Sequence, residues 1–369
     1  FLINFKKNLF FVKNIIIYLL GFFLLSLITN IFFSLNPENS LPRVIKIFFI
    51  LLIAIETLRI FNKYNEKLIS KIFFIWSLII SVVLFDCIFE IFFGFNTLGF
   101  STTLTGRIAS FFGDELVVGA FVHGFAIVLL AYLVNQNVDK YFLVFCILTI
   151  IIVSFLIGER SNFLKLFISV FLFTTLAVRV NYFYKFLSLL IILSLIAGVL
   201  NFNKEYKYRY YNQIETLFQK NGFKNFYKNS QYGAHHSAAI KIFYEYPLFG
   251  VGIKNFRQES NKDKYKDMEF ESSDSRHATH PHQVHFEFLS ETGIFGYISF
   301  LIFILSSIII SVKSYFKYRN TFQLASIVFI ITSLIPLLPS GSFLSTFNSG
   351  IFWINYLIMI GFCKDVITN

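Results

Sequence analysis

The chain has 369 residues, of which 56% are hydrophobic and only 14% charged, and 52 are phenylalanine. A soluble domain carries about a quarter charged residues, so the composition excludes an ordinary soluble globular protein. The net charge of +11 comes with no nucleic-acid-binding motif, so no nucleic-acid partner is expected; in a membrane protein such charge marks cytoplasmic loops.

Apolar runs of about twenty residues recur along the chain, and they are continuous rather than alternating in polarity. The fold class expected is all-α, a polytopic transmembrane helical protein with about ten spans and one large external loop. In chain order the spans fall at roughly 10–34, 43–61, 71–94, 114–134, 140–157, 161–179, 182–201, 284–312, 321–339 and 346–363. This organises the chain as N-terminal transmembrane helices over 1–201, the large loop over 202–283 and C-terminal transmembrane helices over 284–369. The chain starts on Phe1 rather than Met, as a fragment lacking upstream sequence would. Its first apolar run is too long for a signal peptide and lacks a small-residue cleavage site, so it reads as a span. Cys87, Cys146 and Cys363 lie in or beside spans, which suggests no disulfide framework.

Lysine and arginine bias orients the helices. With the N-terminus inside, Lys6, Lys7, Lys13, Arg59, Lys63, Lys67, Lys71, Lys140, Arg179, Lys185, Lys313, Lys317, Arg319 and Lys364 are cytoplasmic. The short outer loops then hold only Arg43, Lys46, Arg107 and Arg160. Seven spans precede the long loop, which makes it external. That loop carries aromatics from Tyr206 to Tyr227, enough for a small core. "AAIKIFYEYPLFG" reads as an amphipathic helix stopped by Pro247, and "NKDKYKDMEFESSDSR" as a mobile mixed-charge stretch.

The loop ends in "HPHQVHFEFLSETGIFG", His280 to Gly296. Pro281 suits the first turn of a helix, which would put His282 and His285 on one face and Glu287 and Glu291 roughly opposite. The plainest reading is a polar helix entrance at the membrane interface. Metal binding by His280, His282 and His285 with Asp274 or Glu287 is a second reading, against which stands the lack of a recognised ligand spacing. His123, mid-span, reads as a helix–helix hydrogen-bond partner.

The same stretch resembles the O-antigen ligase and polymerase superfamily of bacterial envelope glycosyltransferases. That family ends its large periplasmic loop with H-[NSQ]-x9-G-x-x-G, matched by His282, Gln283, Gly293 and Gly296. The upstream "YPLFGVGIKNF", Tyr246 to Phe256, looks like the family's "hPl-GvG-gnf". The similarity is clearest from about 236 to 300 and looser over 100–165. In that looser part "TLTGRIASFFGDE" and "GERSNFLKL" look like two external arginine motifs, and before residue 95 only hydropathy supports it. Many members also carry an arginine about fifteen residues before the proline matching Pro247; this chain has Tyr232 near that place and no arginine. His235, His236, Lys228, Arg209 and Arg257 are possible substitutes.

The resemblance implies transfer of a glycan from undecaprenyl diphosphate, inverting, metal-independent and without a cofactor, at the periplasmic side of the inner membrane. A ligase passes the glycan to lipid A-core oligosaccharide; a polymerase passes it to another lipid-linked repeat. A charged diphosphate leaving group needs cations rather than a proton, and arginine supplies bidentate contacts. The acceptor hydroxyl needs a base near neutral pH, which suits histidine. The expected catalytic residues are His282, with His280 as fallback, and the expected diphosphate-binding residues are Arg160, Arg107, Arg257 and His236. The expected partners are the lipid-linked donor, the glycan acceptor and membrane lipids. The rival of another class, a lipid or polysaccharide transporter, predicts charges lining a path through several helices. The mid-span acids Asp86 and Glu90 are few for that.

Overall fold

The long apolar runs become helices because a backbone in hydrocarbon must satisfy its own hydrogen bonds. A computed structural model describes residues 15–363 except 64–65, 103, 105, 179–180, 213–214, 216–217, 219–220, 268, 270–271 and 345–346, and among the described residues there is no β-strand. Lys6, Lys7, Lys13, Arg179 and Lys364, which contribute to the charge bias, lie outside them. The main helices are α1 (Ile15–Phe33), α2 (Pro37–Lys63), α3 (Glu66–Phe93), α4 (Val118–Asn135), α5 (Lys140–Leu156), α6 (Arg160–Ala177), α7 (Tyr182–Phe202), α8 (Gln231–Glu245), α9 (Val284–Tyr318), α10 (Thr321–Ser333) and α11 (Phe347–Gly361).

Apart from α8, which belongs to the loop, each of these helices falls on one of the apolar segments read from the sequence. Six described helices are long and apolar enough to cross a membrane: α1, α3, α4, α6, α7 and α9. The apolar helices α5, α10 and α11 are shorter, at 17, 13 and 15 residues. At about 1.5 Å per residue, α10 reaches only about 20 Å. The expected span 321–339 is cut at Ser333 because Pro336 and Pro339 follow, and a residue before proline is driven out of the helical region. Helix α2 is long but carries Glu38, Arg43, Lys46, Glu56 and Arg59.

The chain divides into two compact units. The first comprises Phe1–Tyr64, Lys224–Tyr318 and Leu334–Asn369. Within it α1 packs on α2 and α9, and α8 and α11 also pack on α9. Its core is aromatic: Phe23 stacks on Phe303 at 5.4 Å, and Phe288 on Phe300 at 4.2 Å. Apolar contact gives little drive between helices in lipid, so shape and polar bonds set the register. Ser26 of α1 meets Ser299 of α9 at 2.5 Å. Within the mixed-charge stretch 261–276, the described residues include 3₁₀ turns at Asp263–Tyr265 and Ser273–Arg276. Lys266 and Arg276 pair with Asp274 within it, and the Tyr265 hydroxyl donates to Glu245 and Glu259.

The second unit comprises Asn65–Phe223 and Arg319–Ser333. Helix α4 is its centre, packed on α3, α5, α6 and α10. His123 of α4 bonds Thr332 of α10 at 3.0 Å, and Thr332 bonds Ser169 of α6 at 2.7 Å, so His123 does join helices. Asp86 and Glu90 of α3 are buried. They accept from Thr97, Ala109 and Ser110, and so pin the segment after α3 back onto it.

Candidate functional site

The two linked sequence motifs meet as backbone against backbone. Gly293 breaks α9 with φ 63° and ψ −169°. The amides after the break, Ile294 and Phe295, donate to the carbonyls of Pro247 and Leu248. On the other side of the break Val251 and Gly252 donate to the carbonyls of Ser290 and Glu291. A Cβ at Gly293 would come within 2.4 Å of the Leu248 backbone, and one at Gly250 within 2.5 Å of the Glu291 backbone. The glycines are thus required by contact as well as by conformation. Asn30 of α1 clamps the junction by donating to the Phe249 and Glu291 carbonyls.

The second signature position also has a local cause. Gln283 Oε1 accepts from the His285 and Phe286 amides at 2.7 and 3.2 Å, capping the exposed N–H groups at the start of α9. His282 lies before the helix with φ 55°, and its carbonyl accepts from the Ser340 amide at 2.7 Å. This corrects the expectation that Pro281 opens the helix and that His282 and His285 share a face. His285 is instead a brace: Nε2 donates to the Leu334 carbonyl at 2.9 Å and Nδ1 accepts from the Tyr297 hydroxyl at 3.0 Å. Glu287 is spent on the Ser342 hydroxyl and the Phe343 amide.

His282 stacks on His235 and lies tilted against His280. Its ring centroid lies 4.1 Å from His280 and 5.0 Å from His235 of α8, with Tyr232 at 5.9 Å. The place where the loop arginine was expected is therefore filled by Tyr232 and His235, against the candidate base. His235 Nε2 donates to the Ser275 carbonyl at 2.8 Å, which leaves Nδ1 as a buried acceptor with no partner among the described residues. His280 Nε2 is likewise buried and unbonded, although the Ser340 backbone lies beside it. His236 bonds the Tyr227 hydroxyl at 3.0 Å and stacks on Phe286.

These imidazoles are held neutral. Burial, then the charge His235 would carry, pushes His282 down to about 4. Burial, then His282 and Lys254, pushes His280 down to about 3. Burial, then His235 and His282, pushes His236 down to about 4. At neutral pH these imidazoles are therefore deprotonated, with a lone pair free to accept a proton but with lowered basicity.

Of the expected phosphate ligands, Arg107 and Arg160 come together in the second unit, while Arg257 is exposed in the first, on the short helix Phe256–Glu259. Arg160 begins α6 and donates to the Arg209 carbonyl at 3.3 Å; it does not pair with adjacent Glu159. Glu159 instead pairs with Arg107 at 3.5 Å and accepts from the Gly119 amide and Asn162. Arg209 Nε donates to the Gly158 carbonyl at 2.7 Å. A Cβ on Gly158 would stand 2.1 Å from the Gly106 carbonyl, so the two arginine motifs touch through glycine backbone. Beneath them the Tyr206 and Tyr210 hydroxyls donate to the carbonyls of Leu156 and Phe155. Arg107 and Arg209 thus lie near the half-buried Glu159 carboxylate, and Arg160 lies near Arg209. Burial raises Glu159 from its usual range, and burial with the charges of Arg107 and Arg160 lowers Arg209. Such an excess of half-buried positive charge suits an anion.

Among the described residues no group of three His, Cys, Asp or Glu side chains is placed to hold a metal ion. Sequence reading missed Asn30 and the Ser340–Leu344 segment, which carry no motif. Residues 142–301 match the family described as O-antigen ligase, a stretch that includes Arg160, the histidine stack and both glycine motifs. No curated protein matches the chain.

Proposed function

From this O-antigen ligase match, which bears out the resemblance to the ligase and polymerase superfamily, we propose that the chain is an envelope glycosyltransferase. It moves a glycan from undecaprenyl diphosphate to a lipid A-core acceptor, with inversion, at the periplasmic face of the inner membrane. The observation that carries the reading is His282, the first residue of the signature, flanked by two histidines and held neutral. A neutral imidazole removes the proton of the acceptor hydroxyl as its oxygen attacks the anomeric carbon. The bond from that carbon to the diphosphate oxygen breaks, and the diphosphate leaves with the electron pair. The developing charge sits on an already anionic group, so cations rather than a general acid are needed, and Arg107, Arg160 and Arg209 have that chemistry. His280 is the reserve base.

The second reading is polymerase, the same chemistry with a lipid-linked repeat as acceptor. Complementation of a ligase-null and a polymerase-null strain tests the choice through the glycan ladder. Restored attachment to lipid A-core supports ligase; restored chain length without new attachment sinks it in favour of polymerase. Purified protein that consumes no lipid-linked donor would sink both.

A further inference from the structure

Glu159 is a carboxylate among arginines to which the transfer chemistry above gives no task. It stands directly before α6, and both its oxygens are bonded. Oε1 accepts from the Gly119 amide at 3.0 Å and pairs with Arg107 Nη2 at 3.5 Å. Oε2 accepts from the Asn162 side chain at 2.6 Å. The backbone is shaped for this reach. A Cβ at Gly119, in the first turn of α4, would lie 2.7 Å from the Glu159 carboxyl carbon, so glycine leaves the amide open to it.

One plain role is a cap, since a carboxylate on a free N–H at the start of α4 steadies that helix. The cap does not account for Arg107. Arg107 Nη2 also donates to the Leu116 carbonyl at 3.1 Å, and Leu116 holds a left-handed backbone, φ 48°, rare for leucine. The strained carbonyl and the carboxylate together fix the guanidinium. Arg107 Nε is buried without an acceptor among the described residues, so the fold leaves one donor unspent. Charge calls for the carboxylate as well. Burial, then the charges of Arg107 and Arg160, lowers Arg209, so these cations repel one another, whereas Glu159 acts to raise it. A counter-ion lets the arginines gather before an anion arrives.

We propose that Glu159 is a positioning residue: it places Arg107 for the diphosphate of the lipid-linked donor and holds the arginines together until the donor binds. This rests on the transfer reading above. A carboxylate cannot itself ligate a diphosphate; it opposes binding and contributes placement. Glu159→Gln should therefore lower kcat about tenfold or more while the KM for lipid-linked donor stays within about twofold, because lost repulsion offsets lost alignment. Placement is read without turnover by a double-mutant cycle on the full chain in detergent, with pyrophosphate binding followed by titration calorimetry. Arg107→Ala should weaken pyrophosphate binding about tenfold in the wild-type background and less than about twofold in Glu159→Gln. Equal weakening in both backgrounds would overturn the proposal and leave Glu159 a helix cap. An unchanged kcat in Glu159→Gln, or no effect of Arg107→Ala in the wild-type background, would overturn it as well. Should Glu159→Gln not fold, Asn162→Ala keeps the charge and frees one oxygen, and the same cycle applies: coupling to Arg107 supports placement, and additivity overturns it. If the cycle shows coupling but the wild-type chain transfers no glycan, the placement of Arg107 on an anion stands and the transfer reading fails.

Discussion

A histidine works as a general base only while it is neutral, and the structure holds His282 neutral well below the usual imidazole range. The unfolded chain keeps an imidazole near about 6.5, so between about 4 and 6.5 it binds more protons than the fold does. Stability should then be fully present above pH ~6.5 and be lost progressively as pH falls towards ~4. Transfer should follow: kcat/KM should hold from pH ~7 to ~5, with its acid limb near ~4. An acid limb at about 6.5 would mean that the base is a solvated histidine or another group. His282→Ala should cost about two to four orders of magnitude in rate with folding intact. His285→Ala should behave differently, because its ring joins the Leu334 carbonyl to Tyr297. It should cost about 1 kcal/mol of stability and leave kcat nearly unchanged. A hundredfold loss of kcat at unchanged melting temperature would assign His285 to the chemistry instead.

At the scale of elements, the site depends on the α9 break docking against the Tyr246–Phe256 segment. Gly293→Ala and Gly250→Ala meet backbone atoms, which cannot swing aside as side chains do, and both positions have positive φ. Each should destabilise by at least about 2–3 kcal/mol and take transfer with it. Gly198→Ala on α7 meets nothing within 4 Å and serves as the neutral control. Unchanged melting temperatures in all three would mean that the docking does not form. This docking also shows what the sequence could and could not reveal. The spacing marks His282, Gln283, Gly293 and Gly296 as a set, and the glycines hint at close backbone approach. It does not say which backbone approaches, because the partner lies some forty residues earlier and the bonds are between main chains. The assumption of an unbroken helix from Pro281 put His282 and His285 on one face. The left-handed backbone at His282 and the cap by Gln283 separate them. The contacts of Arg209 with the Gly158 carbonyl and with Arg160 span some fifty residues, so no local spacing in the sequence shows them.

For the whole molecule, hydropathy located the helices well but not their lengths, since it counts apolar residues and overlooks the prolines that end α10. Length matters because topology is a parity: each helix that fails to cross inverts everything after it. The charge bias puts the N-terminus and the connections near residues 65, 180 and 316 in the cytoplasm, and the loop near 225 outside. Helix α2, with five charged residues between Glu38 and Arg59, and α5, at about 25 Å, are the elements on which that parity hangs. Six exposed aromatic or aliphatic side chains on α2, Leu41, Ile45, Phe48, Phe49, Ile53 and Ile60, favour lipid around it. Reporter fusions at residues 65, 180 and 316 should therefore read as cytoplasmic and one at 225 as periplasmic. A periplasmic reading at 65 with a cytoplasmic one at 225 would show that α2 does not cross. The histidine cluster would then face the cytoplasm, where a donor presented on the periplasmic leaflet could not reach it.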